Sequence, residues 1–167
     1  MSEVTRRGFF GRAIATIAGL IGIGLAVPIA GYTVLPAFKK KEEAWSEVGP
    51  LDKLEVNHPK ELEVIRSVSS GWMKTNSVRS IWAFKKPEGD VVVYSPLCTH
   101  LGCGYSWDEE KRQFHCPCHN SVYDLDGKVL AGPAPRSLDR LPSKVEGERI
   151  FVKYMEFKAG IPKEEEV

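Results

Sequence analysis

The stretches that decide the fold of this chain are CTHLGC at residues 98–103 and CPCHNSVY at residues 116–123. Each offers a cysteine and a histidine two or three positions apart, in a turn rich in glycine or proline, and 12 residues lie between the two stretches. Thiolates and neutral imidazoles are both ligands that iron accepts. The pattern therefore predicts one metal site built from two opposed loops.

The cysteines of the chain point to a single site. All four lie between Cys98 and Cys118, which is too local for a disulfide framework across 167 residues. Two cysteines and two histidines fit a 2Fe-2S centre in which one iron takes two sulfurs and the other takes two nitrogens. That centre is the cofactor that we predict.

Two other uses of the same residues remain open at this point. Two disulfides would consume the cysteines and leave the paired histidines unexplained. A zinc site has acceptable ligands in Cys98, His100, Cys116 and His119, but it leaves the nearby hydroxyl side chains without a role. The CXXCH pattern of haem attachment is absent from the sequence.

The pattern continues with GPAP at residues 132–135, and as a whole it resembles the Rieske iron–sulfur proteins. It is most similar to the iron–sulfur subunit of Gram-positive menaquinol–cytochrome c reductases. The resemblance implies that Cys98 and Cys116 bind a buried iron of the 2Fe-2S cluster. It implies that His100 and His119 bind an exposed iron.

The resemblance also assigns the residues around the cluster. It implies a disulfide between Cys103 and Cys118, which an exported domain can keep. It has Ser121 and Tyr123 donate hydrogen bonds to a bridging sulfide and to the Cys98 sulfur, and such donors raise the reduction potential.

A loop and an exposed tip complete the site that the resemblance implies. The prolines of residues 132–135 would screen the cluster from water, because proline fixes the backbone and lacks a donor. Leu101, Gly102 and Pro133 would form the surface that docks on partners. Asn120 departs from the glycine of many relatives, although asparagine tolerates the left-handed region.

The resemblance implies electron transfer within a membrane complex. At a cytochrome b subunit, His119, beside His100, would accept a hydrogen bond and then a proton from quinol, with menaquinol as the expected species. The electron would pass to a c-type cytochrome subunit. The rival class is the Rieske ferredoxin that donates electrons to an oxygenase or oxidase, and a third is the small subunit of arsenite-oxidase type. The ferredoxins typically lack the disulfide pair.

The N-terminal residues differ from the rest of the chain. TRRGFF at residues 5–10 resembles the twin-arginine export signal, which we assign to residues 1–12; ordinary flanking charge is the alternative. Residues 13–38 carry no charge, and as a helix of about 39 Å they could cross a hydrocarbon core of roughly 30 Å. We predict a retained transmembrane anchor rather than a cleaved signal peptide, whose apolar region is usually about 7 to 15 residues. The export signal would place the N-terminus inside and the head outside the plasma membrane of a bacterium.

The remaining segments predict an all-β head on a short connector. Residues 39–48 are polar and form the predicted linker, with a polar continuation of the membrane helix as the alternative. Residues 49–157 form the predicted Rieske domain, with its cluster-binding part at 95–137. Runs rich in β-branched and aromatic residues predict antiparallel strands near Leu62 and Val64 and at 78–84, 91–94 and 150–157. Residues 158–167 are expected to be a solvated, frayed tail. The net charge of +1 without a basic stripe argues against nucleic-acid binding.

Overall fold

The protein is described from a computed structural model, which describes residues 5–38, 45–70 and 73–167. These residues form one α-helix, one short 3-10 turn and ten β-strands. The helix belongs to one compact unit, and the β-sheets, apart from residues 69, 70 and 73, belong to another. The predicted class, a β-rich head with one N-terminal helix, is confirmed.

Helix α1 spans Arg6–Phe38 and has 33 residues. Its segment Arg6–Leu35 is long and apolar enough to cross a membrane. The hydroxyls of Thr16 and Thr33 donate to the carbonyls of Arg12 and Ile29 at 2.9 and 3.0 Å. Such bonds within the helix satisfy polar groups where lipid offers none. The helix ends where the predicted anchor ends and begins seven residues before it.

The strands of the head form three sheets. The first has the order β1-β10-β9, the second β2-β3-β4 and the third β5-β6-β7-β8. The bounds are β1 Trp45–Pro50, β2 Lys60–Ser70, β3 Met73–Lys85, β4 Val91–Tyr94, β5 Ser106–Asp108, β6 Gln113–Cys116, β7 Ser121–Tyr123, β8 Val129–Ala131, β9 Ser143–Glu146 and β10 Arg149–Lys153.

The long strands lie where the sequence predicts them. Strands β2, β3 and β4 cover the predicted runs, and β10 begins one residue before the run at 150–157 and ends at Lys153. The turn at residues 86–90 joins β3 to β4 and is closed by a 2.7 Å bond from Lys86 N to Asp90 O. This turn is a hairpin connection between the two strands.

The predicted linker overlaps the first strand. Residues 45–48 belong to β1, in which Trp45 pairs with Lys153 and Ser46 pairs with Val152 of β10. The remainder of the linker, residues 39–44, lies outside the described residues. The first sheet therefore takes the last four residues of that segment.

Strands β3 and β4 separate two hydrophobic cores. Alternate side chains of a strand point to opposite faces, so Phe84 and Tyr94 enter the core next to the cysteines, whereas Ile81 and Val93 enter the core of the first sheet. All four side chains are buried. The hairpin is thus covered on both faces, and the cysteine-bearing loops rest on one of its two cores.

The C-terminal tail does not fray as expected. Lys158 N donates to Glu165 O at 2.9 Å, Val167 N donates to Glu156 O at 2.9 Å, and Gly160 N donates to Thr99 O at 2.9 Å. The expectation rested on the charge of residues 163–166, which does predict exposure. Charge carries no information about backbone hydrogen bonds, and these bonds order the tail.

Candidate metal centre

The second predicted loop is the turn between β6 and β7. Cys116 is the last residue of β6 and pairs with Ser121, the first residue of β7. Asn120 lies in the turn with φ of 56°, which is the left-handed region. Asparagine is one of the few residues other than glycine that adopt this region readily. The departure at Asn120 is therefore compatible with a tight turn beside His119.

The first predicted loop is closed by its own backbone. Cys98 N donates to Cys103 O at 2.7 Å, and Gly102 N donates to Cys98 O at 2.9 Å. Gly102 has φ of 74°, a conformation that glycine adopts without strain. Leu101 at the tip of this loop is 63% exposed.

The two loops place the predicted sulfur ligands and the predicted nitrogen ligands in different parts of the site. The rings of His100 and His119 are perpendicular, with centroids 4.7 Å apart. Cys98 and Cys116 are each 1% exposed, while His119 is exposed and His100 is half-buried. The sulfurs thus lie inside and the imidazoles lie toward the surface, which suits a buried iron with sulfur ligands and an outer iron with nitrogen ligands.

A disulfide joins the two loops. Cys103 and Cys118 are bonded, with their Cα atoms 6.6 Å apart. Cys98 and Cys116 remain as free cysteines. The predicted pairing is confirmed, and the alternative of two disulfides is wrong.

Two buried polar atoms at the site have no hydrogen-bond partner within the described part of the chain: His100 Nδ1 and Ser121 Oγ. Buried polar atoms are almost always satisfied. A 2Fe-2S cluster supplies what each atom needs, because iron accepts an imidazole nitrogen and sulfide accepts a hydroxyl hydrogen. The residues present therefore fit this cofactor.

The hydroxyl of Tyr123 lies against the first loop. Tyr123 OH is 3.1 Å from Cys98 Sγ and 3.2 Å from Thr99 Oγ1. Burial, followed by the hydrogen bond to Cys98, raises the pKa of Tyr123. The hydroxyl therefore keeps its hydrogen over the ordinary pH range and can donate it to a sulfur ligand.

The spacing of the potential ligands disfavours a single zinc ion. In the described residues, the set of three or more potential ligands whose atoms all lie within 4.8 Å of one another is Cys103, Cys116 and Cys118. Two of these sulfurs form the disulfide. Around one tetrahedral zinc, with bonds of about 2.0 to 2.3 Å, all ligand atoms would lie closer together than that limit. Cys98, His100, Cys116 and His119 do not form such a set among the described residues, and a centre with two metal ions does not require one.

Gly132 allows the proline-rich loop to reach the second loop. Its φ is 90°, and a Cβ there would lie 2.5 Å from Ser121 Cα and 2.6 Å from Asn120 O. No side chain fits in that space. The sequence drew attention to the prolines of this loop, whereas the close approach depends on its glycine. Pro133, the next residue, is exposed.

Two residues at the first loop, Thr99 and Arg136, were not among the site residues predicted from the sequence. Thr99 is 1% exposed and its hydroxyl donates to Arg136 O at 2.8 Å. The Arg136 guanidinium forms an ion pair with Asp139, and this hydrogen-bonded carboxylate raises the pKa of Arg136. Opposite charges three residues apart were visible in the sequence, but their burial was not.

The fold and the site define a 2Fe-2S protein with mixed cysteine and histidine ligands on two linked loops. Residues 44–142 match the Rieske [2Fe-2S] domain, and the chain belongs to that family. It carries one 2Fe-2S cluster.

Relatives of the chain include iron–sulfur subunits of a reductase and of a cytochrome complex. The menaquinol:cytochrome c reductase iron-sulfur subunit of Geobacillus thermodenitrificans is 30% identical over 90% of this chain and 91% of its own length. The cytochrome b6-f complex iron-sulfur subunit of Chlorobaculum thiosulfatiphilum is 29% identical over 90% of this chain and 76% of its own. The solved structure of the plasma membrane Rieske protein PetC3 from Synechocystis PCC 6803 is 27% identical over 65% of this chain and 98% of its own, with a TM-score of 0.46.

Proposed function

We propose that this chain is the iron–sulfur subunit of a quinol–cytochrome c reductase, with menaquinol as the substrate of the complex. It takes one electron at the cytochrome b subunit and passes it to a c-type cytochrome. The observation that carries the proposal is His119, exposed and in ring contact with His100 at the outer side of a site whose cysteines are buried. The name of the Geobacillus relative supports the choice of menaquinol.

The cysteines and histidines have separate tasks in this function. When bound, the cluster supplies one-electron redox chemistry. Cys98 and Cys116 would bind it as thiolates within the core, where burial raises the pKa of the Cys116 thiol. His100 and His119 bind at the surface. The ring nitrogen of His119 that does not bind iron accepts a hydrogen bond from the quinol hydroxyl and then its proton.

The surrounding residues hold the site in shape. The disulfide keeps the two loops together, and the loop at residues 132–135 excludes water. The hydroxyl of Tyr123 donates to Cys98 Sγ, which stabilises the reduced state. Ser121 Oγ donates toward the cluster. These two hydrogen bonds favour acceptance of an electron from quinol.

Leu101, Gly102 and Pro133 are the proposed docking surface. Leu101 and Pro133 are exposed, and Gly102 is half-exposed. Apolar and small residues at the tip permit close contact without charge to desolvate. Such a surface suits an electron carrier that must release one partner before it meets the next.

The N-terminal helix supports a function in a membrane complex. The helix and the relatives support a single-pass membrane protein. We infer that residues 1–12 act as a twin-arginine signal, which places the N-terminus inside and the head on the extracytoplasmic side. The disulfide is compatible with that side. Together, α1 and the disulfide favour this function over that of a Rieske ferredoxin.

The experiment replaces His119 with Gln in the assembled complex. We expect quinol-dependent reduction of cytochrome c to fall to background, because the proton acceptor and an iron ligand are lost. His115→Gln is the matched control, since His115 is half-buried on β6 and is not a proposed ligand. Unchanged turnover in His119→Gln would refute the proton role.

A second measurement tests the coupling of electron and proton in the unaltered protein. We expect the midpoint potential of the cluster to fall as pH rises, since reduction is accompanied by proton uptake. A potential that is independent of pH would contradict that coupling.

A further inference from the structure

The guanidinium of Arg136 is a buried hydrogen-bond centre directly after the proline-rich loop. Its side chain is 9% exposed and that of its partner Asp139 is 5% exposed. Arg136 Nε donates to Asp139 Oδ1 at 2.8 Å, and Nη2 donates to Oδ2 at 2.7 Å. This bidentate pair fixes the plane of the guanidinium.

The same guanidinium holds the C-terminal segment. Nη1 donates to Ile161 O at 2.6 Å, and Nη2 donates to Lys158 O at 2.8 Å. Lysine could not replace this arrangement, because an ammonium lacks the planar fork that reaches a carboxylate and two carbonyls together. Residues 158–161 are thereby tied to Arg136.

The segment 158–161 in turn touches the first cluster loop. Gly160 N donates to Thr99 O at 2.9 Å. Gly160 has φ of 78°, and a Cβ there would lie 3.3 Å from His100 O. The segment is therefore bonded to the carbonyl of Thr99 and leaves little room beside the carbonyl of His100.

Thr99 connects Arg136 with a cysteine of the site. Its single hydroxyl hydrogen is donated to Arg136 O at 2.8 Å. Its oxygen is then left as an acceptor for Tyr123 OH at 3.2 Å, and that hydroxyl also lies 3.1 Å from Cys98 Sγ. The hydrogen of Tyr123 is thus shared between an oxygen and a sulfur.

We propose that Arg136 is a positioning residue. Together with residues 158–161 it holds Thr99 so that the Thr99 hydroxyl hydrogen points away from Tyr123. This orientation limits the donation of the Tyr123 hydroxyl to Cys98 Sγ. Once released from Arg136 O, the Thr99 hydroxyl turns to Tyr123 and strengthens the donation of Tyr123 to sulfur. Donors to sulfur raise the reduction potential. The proposal rests on the cluster assignment and is independent of which molecules exchange electrons with it.

The experiment is a double-mutant cycle in the full-length protein with its cluster. We expect Arg136→Lys to raise the midpoint potential, and we expect the same substitution on a Thr99→Val background to leave the potential where Thr99→Val alone puts it. Arg149→Lys is the control, since it alters an arginine–carboxylate pair with Glu47 on the first sheet. An unchanged or lowered potential in Arg136→Lys, or an equal shift on both backgrounds, would overturn the proposal.

A second variant tests the segment without changing Arg136. Gly160→Ala introduces strain at φ of 78°, whereas Gly147→Ala, at φ of 54° with open space around it, is the control. We expect amide hydrogen exchange over residues 158–161 to accelerate about tenfold in Gly160→Ala and the potential to rise. Faster exchange with an unchanged potential would show a purely structural clamp and would overturn the positioning role. Loss of quinol oxidation alone bears on the proposed function and not on this result.

Discussion

The hydroxyl of Tyr123 is a single group with a defined electrostatic task. It lies 3.1 Å from Cys98 Sγ inside a core where Tyr123 itself is fully buried. A hydrogen bond in such a site is not weakened by competing water. Its removal should therefore act on the potential of the cluster more than on the fold.

We expect Tyr123→Phe to keep the cluster and to lower its midpoint potential, because the reduced state loses a donor to sulfur. A redox titration followed by circular dichroism measures the change. Tyr94→Phe is the matched control: Tyr94 is equally buried, but its hydroxyl donates to Leu125 O at 3.2 Å. Equal potentials in the two variants would contradict the role of the hydroxyl.

The short elements that carry the site gain their shape from contacts between loops. Strands β5, β7 and β8 have three residues each. Such strands are too short to be stable alone. The disulfide and the close approach of Gly132 to Ser121 link the loops that these strands carry.

We expect Gly132→Ala to displace the proline-rich loop and to make the cluster labile, because its Cβ would lie 2.5 Å from Ser121 Cα. The rate of loss of the visible absorption of the cluster at raised temperature measures the effect. Gly89→Ala is the control, since Gly89 has φ of 99° but open space around it. If the two variants lose the cluster at the same rate, backbone strain explains the effect and the close approach does not.

The sequence predicts those elements whose pattern is local. Residues 91–94 are a continuous run of β-branched and aromatic residues, and they form β4. The three-residue strands offer no pattern of that length. The pairing of Cys103 with Cys118 followed from a resemblance, whereas the bonds of Arg136 to residues 158 and 161 join distant parts of the chain and leave no local trace. The ligand assignment itself stays a proposal that the geometry supports.

At the scale of the whole head, buried tyrosines limit stability in alkali. Burial raises the pKa of Tyr105 well above its ordinary value of 10.0. Below that value both the folded and the unfolded states keep the proton. Above it the unfolded chain loses the proton and the folded protein retains it, so that rising pH favours unfolding.

We expect the free energy of unfolding to fall above pH 10 by about 1.4 kcal/mol per pH unit for Tyr105 alone. Tyr105→Phe should remove that part of the slope, although it also loses the bond from the hydroxyl to Ser95 O. Denaturant unfolding of both proteins across this pH range measures the difference. Parallel curves would show that Tyr105 does not titrate differently on folding.

The covalent link between the two loops has a consequence for assembly. Because Cys103 and Cys118 are joined, the loops do not depend on iron to stay near each other. A head stripped by a chelator would keep both halves of its empty cradle within reach. Refilling would then need local rearrangement of side chains rather than renewed folding of the domain.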